Sequence, residues 1–138
     1  MSQTREQSVP DFLIRRATQT DSDAILACLR SAFHEYESRY TPGAYADTIL
    51  TVESLSERLL TMSVFVAVSP DGQVIGTIAC NVIQGSEGHL RGMAVRPEWQ
   101  GYGVAKKLLD RAEAELRDRG CQRVTLDTTE PLKRAVHF

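Results

Sequence analysis

The fold of this chain is decided by the stretch Arg96-Pro97-Glu98-Trp99-Gln100-Gly101-Tyr102-Gly103-Val104-Ala105. It follows an apolar run, 90–95, that predicts a β-strand, and it leads into a segment, 106–119, with the apolar spacing of a helix. The first N–H groups of a helix have no intrahelical partner, and the helix dipole places partial positive charge at that end. Two glycines in the turn remove Cβ atoms that would keep a ligand away from the backbone. The pattern therefore predicts an anion site, most simply for a phosphate.

The spacing of this turn excludes two common phosphate-binding loops. No Gly-Lys-Ser/Thr follows the glycines, as a Walker loop requires. Gly101-Tyr102-Gly103 also lacks the third glycine of the dinucleotide fingerprint. An NAD-type dinucleotide protein stays open as an alternative, which the expected mixed strand order disfavours. An ordinary connection between a strand and a helix is the other alternative.

Three residues of the turn carry a resemblance to a known family. Gln100, Gly103 and Ala105 occupy the places of a Gln/Arg-x-x-Gly-x-Gly/Ala signature. In this respect the chain resembles the GNAT superfamily of acetyl-CoA-dependent N-acetyltransferases. Residues 93–97 are similar to that family's fourth strand and its exit. The resemblance covers about residues 11–138 and is specific over 90–126.

The resemblance implies how acetyl-CoA, the co-substrate, would be held. Backbone N–H groups of the turn would bind its diphosphate, and the donors carried over are those of Gln100, Gly101, Tyr102, Gly103, Val104 and Ala105. The pantetheine arm would lie along the fourth strand and use main-chain groups at Met93 and Val95, as an added strand does. This requires the fourth and fifth strands to part, and Gly92 is placed to form a bulge that opens them.

The implied chemistry is attack of an amine on a thioester, which needs a proton acceptor because an amine of pKa near 10 is mostly protonated at neutral pH. Family members often carry an acidic residue on the fourth strand for this step. Glu87 and His89 are the candidate catalytic residues, and strand alternation places both on one face. The alternative is that they are ordinary polar residues at the start of a strand.

The order of elements predicts an α/β (α+β) fold of the acyl-CoA N-acyltransferase type, β-α-α-β-β-β-α-β-α. The sheet would be mixed and mostly antiparallel, with helices on both faces. Strands are predicted at 12–15, 64–68, 74–82, 87–95 and 124–126, and helices at 20–36, 54–62, 103–119 and 131–138. Residues 1–10 are expected to form a flexible leader, and 11–138 a single GNAT-like acyl-CoA-binding domain.

The composition limits which partners and which cellular compartment are expected for this chain. With 138 residues, 42% apolar, 25% charged and a net charge of −2, the chain is not expected to bind nucleic acid. Cys28, Cys80 and Cys121 lack metal-ligand spacing, so no metal is expected and the three are interpreted as buried thiols in a reducing compartment. No run of 18 apolar residues is present, so no membrane partner is expected. A cytoplasmic location follows as an expectation.

The C-terminal segment departs from the family pattern. Leu132 stands where the family's last helix has Asn, and the chain ends before the usual Tyr and the last two strands. This suggests a C-terminally truncated form with an open edge on the fifth strand. A longer gene product, a homodimer that covers this edge, or a catalytically inactive CoA-binding or subunit-interaction module would each explain it.

The function that these patterns favour is transfer of an acetyl group from acetyl-CoA to an amine of a small molecule or peptide. The resemblance implies that the segment 33–60 selects the acceptor. Glu35, Glu37 and Asp47 in that segment are compatible with a cationic acceptor, or with a solvated surface.

Overall fold

The computed structural model describes residues 11–34, 51–127 and 134–137. They form six strands and three helices of ten residues or more, together with two short 3₁₀ turns. The strands are β1 (Leu13–Arg16), β2 (Ser63–Val68), β3 (Val74–Gln84), β4 (Glu87–Val95), β5 (Arg123–Asp127) and β6 (Arg134–His137). The helices are α1 (Ser22–His34), α2 (Val52–Thr61) and α3 (Val104–Asp118), and the 3₁₀ turns are Gln19–Asp21 and Pro97–Trp99.

The strands form one mixed sheet in the order β1-β2-β3-β4-β5-β6. Four of the five neighbouring pairs are antiparallel, and β4 pairs with β5 in parallel. The meander β2–β4 arises because short turns join consecutive strands, whereas the parallel pair uses α3 as its crossover. The predicted mixed, mostly antiparallel sheet is confirmed.

Helices cover both faces of the sheet. On one face α3 packs its buried stripe, Val104, Leu108, Ala112 and Leu116, against residues such as Phe65 and Leu90. On the other face α1 and α2 contribute residues such as Leu29 and Leu55 to a second cluster with Val64 and Val66. The 3.6-residue period of the helices and the 2-residue period of the strands produce this division.

The starts of the first two helices differ from the predicted ones by two residues, since α1 begins at Ser22 and α2 at Val52. Thr18 caps the 3₁₀ turn that leads into α1, and Thr51 caps α2. Ser54 is the third residue of α2 and completes the capping box, where its hydroxyl accepts from the Thr51 N–H at 2.9 Å. Threonine and serine at this spacing can exchange these roles, so sequence alone does not fix the first residue.

The predicted final helix is wrong over residues 134–137, which form β6 on the free side of β5. The edge of β5 that was expected to be open is therefore paired, with Arg123 opposite His137 and Leu126 opposite Arg134. A helix of eight residues makes few internal hydrogen bonds, while a strand on a sheet edge satisfies unpaired main-chain groups. Pro131, the signal for that helix, lies outside the described residues.

Some predictions fall on segments that the structure does not describe. The leader 1–10 and the acidic residues Glu35, Glu37 and Asp47 are among them. In the described part of the chain, none of the helices has the length and apolar character needed to cross a bilayer.

A buried carboxylate joins β1 to the start of α1. Asp21 accepts two hydrogen bonds of 2.9 Å from the Arg15 guanidinium and one of 2.8 Å from the Thr18 N–H. The hydrogen bonds from Arg15 are the main reason that the pKa of Asp21 falls to about 2, against the tendency of burial to raise it. The ionised form is thus favoured by folding.

Substituting this carboxylate should lower stability in a pH-dependent way. Because the folded pKa lies below the ordinary value of 3.8, the contribution is complete above that pH and is lost as pH falls towards about 2. Asp21→Asn should reduce the free energy of unfolding by about 1–2 kcal/mol at pH 7, a value discounted for the exposed Arg15. Urea unfolding at pH 7 and pH 3 would measure it.

Asp23→Asn is the matched control, because Asp23 lies in the first turn of the same helix and is exposed. It should cost only a few tenths of a kcal/mol through the helix dipole. Equal losses for the two variants would show that the Asp21 network adds nothing specific.

Candidate functional site

A pocket of about 290 Å³ lies where β4 ends and α3 begins. Its walls come from the end of β4, from the turn and from the first residues of α3: Met93, Ala94, Val95, Trp99, Gln100, Gly101, Gly103, Val104, Ala105 and Lys106. The structure thus brings together every predicted cofactor-binding residue except Tyr102. Ala94, Trp99 and Lys106 were not among the predicted site residues.

Main-chain donors are concentrated at this pocket. The first bond of α3 runs from the Lys107 N–H to the Gly103 carbonyl, so the N–H groups of 104–106 precede it. Among the described residues, no backbone acceptor is recorded for the N–H groups of 101–103. Gln100 differs, because its N–H donates to the Pro97 carbonyl at 3.2 Å. The Gln100 N–H is thus engaged within the turn, while the residue lines the pocket as predicted.

Glycine is required at two positions of the turn by the backbone itself. Gly101 and Gly103 have φ of 90° and 84°, a left-handed conformation that side chains rarely adopt. A Cβ at either position would meet no protein atom within 4 Å, so both face open space. These glycines therefore serve the shape of the turn and the space beside it, not the packing of the core.

The charge at the start of α3 is the reverse of the usual preference. Its first turn contains no acidic residue and includes Lys106. A cation at the positive end of a helix is unfavourable, and an anion there is favourable. Lys106 is exposed and pairs at 3.1 Å with Asp110, one turn further on. A sequence that breaks a local rule in this way points to a ligand of negative charge.

Aromatic contacts and a buried valine hold the glycine turn in place. The ring of Trp99 makes edge contacts with Phe12 and Tyr102, at centroid distances of 6.3 and 5.8 Å. Val104 is 1% exposed in the core. Tyr102 is 40% exposed and does not line the pocket, so its side chain braces Trp99. The backbone donors are thus fixed before any ligand arrives, which lowers the cost of binding.

A bulge in β4 opens the side of the strand that faces β5. Thr77 is opposite Ala94 and Ala79 is opposite Arg91, so β4 has one extra residue there, and Gly92 takes a φ of 68°. β4 and β5 are paired from Glu87 to Arg91. The strands are therefore joined over the first half of β4, and the bulge predicted at Gly92 is present.

Beyond the bulge, β4 has no described partner on that side. The Arg96 N–H donates to the Ile75 carbonyl of β3 at 2.8 Å. By alternation, Ala94 also turns its main-chain groups towards β3, while Met93 and Val95 turn theirs away from it. The described part of β5 ends opposite Arg91. Main-chain groups at such a strand edge can pair with an added strand, and an extended ligand would supply one.

The two candidate catalytic residues lie outside this pocket. His89 and Glu87 precede Met93 by four and six residues, or about 13 and 20 Å along an extended strand. Because Gly88 and Leu90 face α3, both candidates lie on the opposite face, with α1 and α2. The Glu87 carboxylate accepts a hydrogen bond of 3.1 Å from the Thr125 hydroxyl. Access from the pocket to either side chain would run past the bulge.

A cation that no sequence pattern predicted, Arg58, lies against the bulge. A Cβ built on Gly92 would be 2.5 Å from Nη1 of Arg58, which projects from α2 on the face of Glu87 and His89. Burial is the largest cause that lowers the pKa of Arg58 to about 10, and the positive charge of Arg91 adds to it. In the sequence, Arg58 has the pattern of a solvent-exposed residue on an amphipathic helix. No local pattern therefore predicted its position.

The described residues contain no group of three or more side chains that could hold a metal ion. Cys28, Cys80 and Cys121 are free and buried. Burial raises the pKa of Cys28 and of Cys80 to about 11, so both thiols stay protonated at neutral pH.

Comparisons with known proteins agree with this geometry. A curated relative, an aminoglycoside N(6')-acetyltransferase type 1 from Stenotrophomonas maltophilia, is 32% identical over 96 residues; these span 62% of this chain and 63% of the relative. A PaiA N-acetyltransferase from Thermoplasma acidophilum, solved with coenzyme A, has a TM-score of 0.74 at 20% identity over 84% of this chain and 78% of its own. A GNAT acetyltransferase from Brucella melitensis, solved with acetyl-CoA, has a TM-score of 0.71 at 24% identity over 93% of this chain and 88% of its own.

The two solved structures establish the likeness of fold, and the family follows from the sequence itself. The profile described as "Acetyltransferase (GNAT) family" matches residues 25–138, which include most of α1, the bulged strand β4 and the glycine turn. The chain belongs to the acetyltransferase (GNAT) family.

Proposed function

We propose that the protein transfers an acetyl group from acetyl-CoA to the amine of a small molecule. The observation that carries this proposal is the continuity of two features. Main-chain donors at the start of α3 open into the same pocket as the edge of β4, and within the described residues neither has a recorded main-chain partner. A ligand with an anionic end and an extended arm fits such a site, and acetyl-CoA has both parts.

The diphosphate would bind at the turn. Main-chain N–H groups from Gly101 to Lys106 supply the donors, and the positive end of α3 favours the charge. The missing side chains at Gly101 and Gly103 allow close approach, as the open space at both positions indicates. The Lys106 ammonium, at the wall of the pocket, adds a cation.

The pantetheine arm would occupy the place of a strand beside β4. Met93 and Val95 offer the main-chain groups that β5 leaves unpaired within the described residues. Bound acetyl-CoA would supply an acetyl thioester, which is activated towards attack by an amine. The Met93 N–H is the donor placed nearest the bulge, where it would polarise the thioester carbonyl.

The overall reaction forms a C–N bond and breaks a C–S bond, and one proton leaves the amine while the thiol of CoA is released. His89 is the residue proposed to accept that proton through a chain of water molecules, because an imidazole suits this task near neutral pH and lies about 13 Å from Met93 along the strand. Glu87, which is bonded to Thr125, is the second candidate. Both lie on the face of α1 and α2, opposite the turn and α3, so the amine would approach from that side.

The relative from Stenotrophomonas maltophilia is named for transfer to an aminoglycoside, which is a small molecule with several amines. This supports a small-molecule amine as the acceptor class for the present chain. The buried, free cysteines agree with a reducing compartment, and we propose a cytoplasmic location on that ground.

The function is tested by release of CoA thiol from acetyl-CoA in the presence of a broad amine panel. Turnover that depends on both substrates is expected, together with calorimetric binding of CoA and no binding of NAD. CoA binding without turnover on any amine would indicate a catalytically inactive CoA-binding module. Binding of NAD but not CoA would contradict the assignment.

Substitution of Gly103 should abolish CoA binding without unfolding the protein. In Gly103→Glu the new side chain would enter the open space at the mouth of the pocket and repel the diphosphate. Gly120→Glu is the matched control, because Gly120 has a φ of 91° and open space but follows the end of α3. Both variants should lose about 1–2 kcal/mol of stability through backbone strain. Calorimetry should show CoA binding only in the control, and equal affinities would remove the turn from the site.

Substitution of the proposed base should slow turnover and spare binding. His89→Gln should lower kcat by about 10²–10⁴-fold, since a positioned base contributes that much. The Kd for CoA should stay within about twofold, because His89 does not line the pocket. Glu87→Gln on the same face is the comparison. A larger loss of kcat in that variant than in His89→Gln would transfer the role to Glu87.

A further inference from the structure

A patch of polar side chains lies on the face of the sheet that carries α1 and α2, beside the bulge of β4. Arg91 and His89 of β4 face this side, as does Asn81 of β3, which is opposite His89. Arg58 reaches the patch from α2 and lies against Gly92. We name these four residues, Arg58, Asn81, His89 and Arg91, the acceptor floor, because an amine must approach the thioester from this face. The name rests on the function proposed above.

The two arginines of the acceptor floor lie close enough for one to affect the other. Burial of the Arg58 side chain is the larger cause that disfavours its protonated form, and the charge of Arg91 adds to it. The ion pairs recorded within the described ranges involve other cations: Arg15, Arg16, Lys106, Arg111 and Arg119. A half-buried arginine beside a second arginine, with no carboxylate of the described residues paired to it, is destabilising for the fold. It becomes favourable when an anion lies between them.

A second atom of the acceptor floor also lacks a partner. The side-chain oxygen of Asn81 is buried, and no described residue gives it a hydrogen bond. A buried acceptor without a donor is costly, and native proteins rarely leave one. The Asn81–His89 pair lies two residues, about 7 Å, from the Ala79–Arg91 pair along the sheet. A compact molecule that carries both an acid group and N–H donors would satisfy both.

We infer that the acceptor is an amine that also carries an acid group, a carboxylate or a phosphate, which Arg58 and Arg91 bind beside the bulge, so that the amine next to it reaches the thioester, while the Asn81 oxygen accepts another N–H of the same molecule. An amino acid or a phosphorylated amino alcohol has this chemistry. A polycationic acceptor such as an aminoglycoside does not, because two arginines would repel it. The arginines would thus select among the amines that reach the site.

The first test measures the anion site without turnover. Inorganic phosphate is titrated into the CoA-saturated protein by calorimetry and by thermal shift, for wild type, Arg58→Gln, Arg91→Gln and Arg30→Gln. Arg30 is an exposed arginine of α1 and serves as the charge-matched control. Wild type and Arg30→Gln should bind phosphate in the millimolar range, and each variant of the acceptor floor should bind it at least tenfold more weakly. Equal binding by all four proteins, or none by wild type, would overturn the inference.

The second test compares acceptors in matched pairs: an amino acid with its amide, phosphoethanolamine with ethanolamine, and an aminoglycoside alongside. The acid-bearing member of at least one pair should have the higher kcat/KM, and the two pairs separate carboxylate from phosphate. Arg58→Gln should raise the KM for that acceptor by about 10–100-fold, as expected for a lost charged hydrogen bond. The KM for the neutral member of the pair should change far less. Arg58→Lys should restore part of the loss.

The outcomes separate this inference from the function on which it rests. Turnover that prefers neutral or polycationic amines would keep the acetyltransferase and overturn the acid-bearing acceptor. Phosphate binding through Arg58 with no turnover on any amine would overturn both. Removal of a half-buried cation that has no ion pair within the described ranges should also raise the Tm of Arg58→Gln above wild type in phosphate-free buffer. A lower Tm would show that Arg58 supports the fold, and would count against the inference.

Discussion

The close seating of α3 on the sheet is the constraint on which the site depends. A Cβ at Gly76 would lie 2.9 Å from side-chain carbons of Val104 and Leu108, and one at Gly88 would lie 2.7 Å from a carbon of Leu116. The helix is therefore in contact with bare strand backbone at two points along its length. These contacts fix the distance of α3 from the sheet and the direction of its axis. They therefore place its first turn next to the end of β4.

The position of the first turn of α3 then decides what the pocket can bind. Its main-chain donors are held by buried Val104 on one side and by the Trp99 contacts on the other. The bulge at Gly92 then turns the end of β4 so that an edge without a described partner lies next to those donors. Anion recognition and strand addition are separate physical effects, and here one helix and one bulge place them side by side.

The two faces of the sheet have different electrostatics. The face of α3 presents the helix dipole and a lysine, whereas the face of α1 and α2 presents Arg58 and Arg91 beside Asn81 and His89. The bulge lies between them, since Arg58 is against Gly92 while Met93 lines the pocket. A two-substrate reaction needs such an arrangement, because each partner must reach the same point from its own side. The unpaired polar groups are the cost that a binding site imposes on stability.

The sequence by itself determined the order of elements up to β5, the two-faced sheet and the turn, because hydrophobic period and glycine placement are local signals. Tertiary structure alone decided three further features. Residues 134–137 became β6, since the edge of β5 offered hydrogen bonds that a short helix could not match. The Gln100 N–H was used by the Pro97 carbonyl. Arg58 came to lie on Gly92, which is 34 positions further along the chain, and such a contact depends on how α2 packs against the sheet and not on any local pattern.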